Sequence, residues 1–291
     1  MTPKLSIITP SYNQAQYLEE TILSVLNQNY ESLEFIIIDG GSTDGSVDVL
    51  RKYEGRLAFW VSEKDRGQAH ALNKGLAQAT GDVVAYINSD DLYLPGAFAA
   101  VMSYFREHPD CDWLCGDTLM FGEGHKDEII AADVPRSAAQ ALSWAYKAPQ
   151  PGMFWKRELL RDGFAERWRY CFDHELYVRL LLAGYRCEHL PVTVAAYRLH
   201  ATSKTVAEGS LFDQEFDEIE AMYEPQLSGA GRRWCVATRH LRQSFAATSA
   251  GKRSVALKSL LSALLIYPES LLMRPFWGCL RRVIPLLPQK T

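Results

Sequence analysis

No run of about 18 apolar residues, the length that a bilayer-spanning helix needs, occurs anywhere in the 291-residue sequence, so no spanning segment is expected. The six cysteines, at positions 111, 115, 171, 187, 235 and 279, form no CxxC pair and have no histidine cluster of zinc spacing beside them. They read as reduced, mostly buried thiols. Net charge is small: 31 Lys+Arg against 35 Asp+Glu leave −4, which excludes whole-chain attraction to nucleic acid or another acidic polymer. The opening apolar run, Leu5 to Thr9, is too short for a signal-peptide core, and a cytoplasmic location is expected. At 47% hydrophobic and 23% charged residues the chain has the composition of a globular protein, not a disordered one. Its length allows one large α/β domain, or a medium domain with a small helical annex.

What charge there is lies unevenly. From Gly229 to Thr291 there are eleven Lys/Arg and a single acid, Glu269; before Gly229 there are 20 bases and 34 acids. An acidic body with a basic tail suggests two tasks in one chain.

Leu5–Thr9 and Leu33–Ile38 predict strands, and their apolar runs, Leu5–Thr9 and Phe35–Ile38, lack period-2 alternation, which predicts burial on both faces. Pro10 is expected to end the first. Leu57–Val61 and Asp82–Ile87 predict two more strands, with helices over Tyr17–Gln28, from Asp44 to about Tyr53, and over Gln68–Ala79 between them. Strand–helix alternation at short loop lengths predicts a mostly parallel sheet covered by helices on both faces. Further on, a helix is expected over Asp173–Ala183 and a strand near Glu188–Tyr197, with three or four helical segments after Leu211. In open α/β sheets ligands lie beyond the carboxyl ends of the strands. Those ends carry Thr9–Asn13, Asp39–Thr43, Glu63–Gly67 and Asn88–Asp91, and three of the four are acidic.

Carboxylates at a strand end have a reason to be there if the ligand is a diphosphate, because a divalent cation shared between phosphate and carboxylate removes the repulsion. Asn88-Ser89-Asp90-Asp91 supplies adjacent carboxylates, although an Asp-Asp turn would read the same way. Asp39-Gly40-Gly41-Ser42-Thr43-Asp44 combines glycines that allow close backbone approach with an Asp able to accept from a base N–H or a ribose hydroxyl. It lacks the GxGxxG spacing of a dinucleotide site.

Ser6–Asn13, Ile38–Gly45, Trp60–Gln68, Asn73–Gly75 and Gly81–Pro95, in this order, resemble the motifs of glycosyltransferase family 2. The resemblance runs over about the first 205 residues. It implies a GT-A fold and inverting transfer of a sugar from a nucleotide-diphosphate donor, with Mg²⁺ or Mn²⁺ as cofactor. The acceptor it implies is a saccharide or lipid-linked saccharide, in cell-surface polysaccharide synthesis. Thr9, Pro10, Ser11, Tyr12, Asp39, Asp65 and Arg66 would hold the nucleotide, with Asn88 and Ser89 beside them. Asp90, at the last position of the family's DxD motif, would bind the metal. Asn88 stands where the first Asp is usual, and Gly40 replaces a frequent second Asp. Phe172–Leu180 resembles the family's base motif, with Asp173 as the carboxylate that deprotonates the acceptor and Glu175 as its fallback. A helix N-terminus would lower the basicity of Asp173 unless burial compensates. Tyr197–Lys204 resembles a later histidine motif, in which His200 would be a metal ligand and Arg198 or Lys204 would neutralise the leaving diphosphate. Asp91 is a further candidate. Gln150–Trp155 reads either as an acceptor-side wall or as core.

These readings divide the chain into a GT-A domain, 1–210, and a helical, basic amphipathic region, 211–291. The apolar positions of Ser254–Ile266 and the Arg-bearing, aromatic stretch Ser270–Leu287 fit contact with an anionic bilayer on the inner face of the cell membrane. They fit equally a stripe packed on the rest of the protein. Two other functions compete. A nucleotidyltransferase would want a Gly-rich, basic loop after the first strand, which Thr9–Asn13 is not. A non-catalytic nucleotide-binding protein at the membrane surface would keep the binding and lose the turnover. Nucleic acid is not an expected partner.

Overall fold

The computed structural model describes residues 3–143, 146–201, 203–204 and 209–283; the end of the stretch Ser270–Leu287 falls outside them. Two compact units divide the chain, one of Met1–Arg136 with Tyr146–Phe216, the other of Ser137–Ala145 with Asp217–Thr291.

The first unit is built on one sheet. Strands β1 (Leu5–Ser11), β2 (Leu33–Asp39), β3 (Phe59–Ser62) and β4 (Val83–Tyr86) are parallel, in the spatial order β3-β2-β1-β4. The apolar runs of β1, β2 and β4 are buried on both faces because helices cover them, whereas the residues of β3 are half-buried. Helix α1 (Ala15–Leu26) sets Leu18, Ile22, Val25 and Leu26 into the core, each such burial contributing about 1.5–3 kcal/mol. Helix α2 (Ser46–Tyr53) follows β2, and α3 (Gln68–Gln78) follows β3. Helix α3 lies so close to β1 that a Cβ on Gly75 would come within 2.5 Å of Ile8 Cγ2, so only glycine fits there.

Contrary to expectation, Pro10 does not end β1, which runs on to Ser11. The β1–β4 register stops at Ile8–Tyr86, while the β1–β2 register continues to Ser11–Asp39. Pro10 therefore sits where β1 has one neighbour, and a ladder edge tolerates a residue without an N–H.

The second half of the sheet is mixed rather than parallel. The short strand β5 (Leu92–Tyr93) and helix α4 (Ala97–Glu107) lead into β6 (Trp113–Gly122), β7 (Glu128–Ile130), β8 (Met153–Lys156), helix α6 (Phe172–Leu182) and β9 (Cys187–Leu199); α5 (Ala138–Leu142) belongs to the other unit. β8 pairs antiparallel with β4 and β6, β6 pairs parallel with β9, and β9 antiparallel with β5. Met153, Phe154 and Trp155 are fully buried, so that end of the stretch is core, while Gln150 is half-buried.

Helix α7 (Gly209–Tyr223) runs through the unit boundary. The second unit continues with α8 (Gly229–Ser249), α9 (Arg253–Ile266) and α10 (Arg274–Val283) around a core of Ala237, Leu241, Leu260, Ala263, Phe276 and Cys279. Here Glu220 pairs with Arg239 and Arg242, and Glu224 with Arg232 and Arg239. Three of the basic residues counted in the tail are thus held in ion pairs within the unit.

Candidate active site

The loops after β1 and β2 are laced together. Asp39 is wholly buried, and its carboxylate accepts from the backbone N–H of Gly41 (3.1 Å) and Ser42 (2.9 Å) and from the hydroxyls of Ser42 and Ser62, the last at 2.6 Å. Three of these four bonds go to Oδ2 and hold the loop, while Oδ1 accepts only from Ser42. Asn13 reaches the same loop, its N–H donating to Ser42 Oγ (2.8 Å) and its Oδ1 accepting from Thr43 N (2.9 Å). Thr9, Pro10 and Ser11 are buried in the strand itself, whereas Tyr12 is 63% exposed at its tip.

Gly40 opens the space that Asp65 fills. A Cβ at Gly40 would stand 2.7 Å from Asp65 Oδ2 and 3.2 Å from Tyr12 Cδ2. The carboxylate missing at position 40 is thus replaced in space by that of Asp65, whose other oxygen is fixed by Gly67 N–H at 2.8 Å. Tyr12, Gly40 and Asp65 together form an aromatic face with a carboxylate at its edge. Arg66 turns elsewhere, pairing with Glu166 (2.6 Å), and Asn73 secures the same segment by bonds to both the N–H and the C=O of Phe164.

Beyond β4, Asn88 is engaged on all sides. Its Oδ1 accepts from Gln68 (2.6 Å), and its Nδ2 donates to Asp91 (3.2 Å) and Gln150 (3.4 Å). Asp91 is fully buried, and burial, followed by the neighbouring Asp90 charge, holds its pKa well above the usual carboxylate range. An Asp at 88 would bring another acceptor against it and lose the amide donor, so the departure from DxD has a local reason. Ser89 is buried as well.

Asp90 remains partly accessible, and its Oδ2 lies 2.9 Å from His200 Nε2. Arg198 creates this approach. Its backbone N–H donates to Asp91 Oδ1 and its Nε to the Asp90 carbonyl, both at 2.9 Å, stapling the end of β9 to the 88–91 loop two residues before His200. The Arg198 guanidinium also pairs with Glu20 and lies over the rings of Tyr17 and Phe121. It is committed within the fold. Lys204 is exposed and donates to Gln68 Oε1 at 2.7 Å.

Asp90 and His200 are the residues that would hold a divalent ion. In the structure a hydrogen bond joins the two directly, at 2.9 Å. Among the described residues no cluster of three His, Cys, Asp or Glu side chains could hold a metal. Such an ion would complete its shell with water and phosphate oxygens, as Mg²⁺ commonly does.

Asp173 stands in the first turn of α6, half-buried, with Oδ1 accepting from His174 N–H at 2.7 Å. Burial pushes its pKa up to about 6, with the Glu215 charge adding to the rise and Lys204 and the backbone N–H groups opposing it. Burial outweighs the helix terminus, so the Asp173 carboxyl holds a proton more readily than an exposed one. Tyr86, at the end of β4, packs against Phe172 (6.2 Å between ring centroids) and brings α6 to the strand ends. Glu175 is different: buried, and paired with Arg179 at 3.3 Å. Two residues along a helix are about 200° around it, so Glu175 and Asp173 face apart.

Hydrogen bonds therefore join Lys204 to Gln68, Gln68 to Asn88, Asn88 to Asp91 and His200 to Asp90; Tyr12 and Asp65 meet around Gly40, and Lys204 acts on Asp173 through its charge. Sequence reasoning gave Gln68 no role, although it lies in a quoted motif; its bridge from Asn88 to Lys204 joins residues far apart in the chain.

Residues 6–160, more than half of the chain, match the profile of the family described as Glycosyl transferase family 2. The chain belongs to glycosyltransferase family 2. Among its relatives is TuaG of Bacillus subtilis, a glycosyltransferase assigned to teichuronic acid biosynthesis. TuaG is 38% identical over 125 residues, 42% of this chain and 50% of TuaG, so the match spans half of that relative's length. Among solved structures, TarS 1-349 of S. aureus in complex with UDP-GlcNAc superposes with a TM-score of 0.67 at 18% identity, covering 97% of this chain and 88% of TarS. The mannosyltransferase PcManGT of Pyrobaculum calidifontis, in complex with GDP-Man and Mn²⁺, gives 0.55 at 22% identity, covering 98% and 87%. The family's GT-A-type architecture, a mixed α/β sheet flanked by helices and followed by C-terminal helices, is the one seen here.

Proposed function

We propose that this glycosyltransferase is an inverting enzyme that moves a sugar from a nucleotide-diphosphate donor to a saccharide or lipid-linked saccharide in cell-surface polysaccharide synthesis. The observation that carries this reading is Asp173: a half-buried carboxylate with a raised proton affinity, linked through Tyr86 and Lys204 to the loops that would hold the donor. In a single displacement the acceptor oxygen bonds to the anomeric carbon as the bond from that carbon to the diphosphate oxygen breaks. The hydroxyl proton passes to Asp173, and the nucleoside diphosphate leaves with the electron pair. Tyr12 and Asp65 offer a stacking face and an acceptor for the base, and the Asp39 loop shapes their floor. Lys204 neutralises part of the leaving charge. An Mg²⁺ or Mn²⁺ ion on Asp90 and His200 would supply the remaining neutralisation. The nucleotide sugars bound by TarS and PcManGT, and the Mn²⁺ of the latter, support a donor and cofactor of these kinds, and TuaG supports a cell-surface polysaccharide product.

A thermal-shift screen of UDP-, GDP- and dTDP-sugars with and without Mn²⁺ tests the donor class. A donor at about a hundred times its Kd adds about 2.7 kcal/mol to stability, enough to raise Tm by several degrees. One nucleotide is expected to stand out, and only with the metal. No shift from any donor, together with no transfer, would sink the reading; a shift without turnover on a broad acceptor panel would favour the non-catalytic alternative.

The second unit supports work at a lipid surface. Among the described residues no helix is long and apolar enough to cross a membrane. Helix α9 buries Ala256, Leu260 and Ala263, yet exposes Leu257, Leu261 and Leu265 at i, i+4 spacing, with Leu265 at 83%. Leu272 follows at 86%, and Lys252, Arg253, Lys258, Arg281 and Arg282 are exposed in the same unit. An apolar stripe with basic neighbours suits an anionic bilayer. The protein is expected to float with vesicles containing phosphatidylglycerol and not with pure phosphatidylcholine. Leu261→Glu with Leu265→Glu should reduce that binding at least about tenfold, since each buried Leu contributes about 1.5–3 kcal/mol. Unchanged flotation of the double variant would remove this face from the membrane contact.

A further inference from the structure

Helix α6 carries the base, yet its N-cap residue, Cys171, makes no side-chain capping bond. The chain entering the helix is held instead by a carboxylate from α7. Glu215 Oε1 accepts from Arg169 N–H at 2.7 Å, and Oε2 accepts from Tyr170 N–H at 2.8 Å and Cys171 N–H at 2.9 Å. Three successive backbone N–H groups converging on one anion form a nest, and each charge-assisted bond is roughly twice as strong as a neutral one. Neighbouring residues of α7 grip the same segment. The Tyr170 and Phe212 rings are 5.1 Å apart, those of His174 and Phe216 4.8 Å, and Cys171 Sγ donates to the Phe212 carbonyl at 3.5 Å. All these residues lie within the first unit.

We propose that Glu215 is a positioning residue for the transfer reaction: by filling the nest at residues 169–171 it fixes the entry to α6, and with it the direction in which Asp173 meets the acceptor hydroxyl. This rests on the reading of Asp173 as the base. The nest lies two to four residues before Asp173, so loosening it swings the helix start rather than any donor contact. Glu215 also places its negative charge near Asp173, where it favours the protonated carboxyl.

Full-length Glu215→Gln and Glu215→Ala are compared with the parent enzyme and with Asp173→Asn, measuring kcat, donor KM and the pH dependence of transfer, with far-UV circular dichroism to verify folding. Glu215→Gln removes the charge and keeps one acceptor oxygen; it is the variant of choice if Glu215→Ala does not fold. The expected result for folded Glu215→Gln is a kcat lowered at least tenfold, a donor KM within about twofold of the parent, and an acid limb of the pH profile displaced to lower pH. A folded variant with unchanged kcat, or with its acid limb in place, overturns the proposal. Full activity in Asp173→Asn would instead overturn the base assignment, whatever the Glu215 variants do, so the two failures are distinguishable.

Discussion

Replacing Asp173 with Asn is expected to lower kcat by about a hundred- to ten-thousandfold, the usual contribution of a positioned general base, while donor KM stays close to that of the parent. Asn keeps an oxygen to accept the His174 N–H that Asp173 accepts at 2.7 Å, so the helix start should survive and the missing element is proton affinity. The pH dependence makes the test specific. With its pKa raised to about 6, Asp173 is mostly protonated below pH 6 and no longer basic enough to take up a proton. In that range the rate should rise about tenfold per pH unit, bend near 6 and level off above it. An unburied carboxyl, near 3.9, would place the bend two units lower. In Asp173→Asn the residual rate should lose this limb altogether. Transfer rates between pH 4.5 and 8 for both proteins decide the matter, and a limb that persists in the Asn variant would assign the titration to another group.

The parallel half of the fold was legible because burial writes itself into local sequence. Phe35–Ile38 can be uninterrupted only where helices cover both faces, and the Leu18, Ile22, Val25, Leu26 spacing sets α1 on one of them. Position along the chain also located the site, since strand ends and their loops are local features. What could not be read is how each polar side chain is committed, for that depends on partners remote in sequence. Asp91 and Arg198 are 107 residues apart and meet in one hydrogen bond, which ties both of them into the structure. Asp39 is held in part by Ser62 from the next strand. Asn88, read as a lost charge, is the donor that a buried Asp91 needs. Gly40, read as a lost carboxylate, leaves room for Asp65. Glu215 carries no motif, and its contact with residues 169–171 appears only once α7 is packed.

The metal reading turns on Asp90, and its largest consequence is a change in sign. Without a divalent ion, the Asp90 carboxylate repels the donor diphosphate; with one, it holds the cation that attracts it. Asp90→Asn should therefore abolish the increase in donor affinity brought by Mn²⁺, yet leave metal-free donor binding equal to the parent's or tighter. Turnover should fall by at least about a hundredfold, because charge stabilisation of the leaving group by a bound ion contributes several kcal/mol to the transition state. His200→Ala should fall less, since Asp90 would keep the charged ligand. Calorimetric titration of each variant with nucleotide in Mn²⁺ and in chelator separates the two effects. If donor affinity in the parent is the same in both solutions, the 2.9 Å approach of Asp90 to His200 is a carboxylate–imidazole hydrogen bond and nothing more. Leaving-group stabilisation would then fall to Lys204 and the backbone N–H groups of the loops. In that case Lys204→Ala, rather than Asp90→Asn, should show the hundredfold loss.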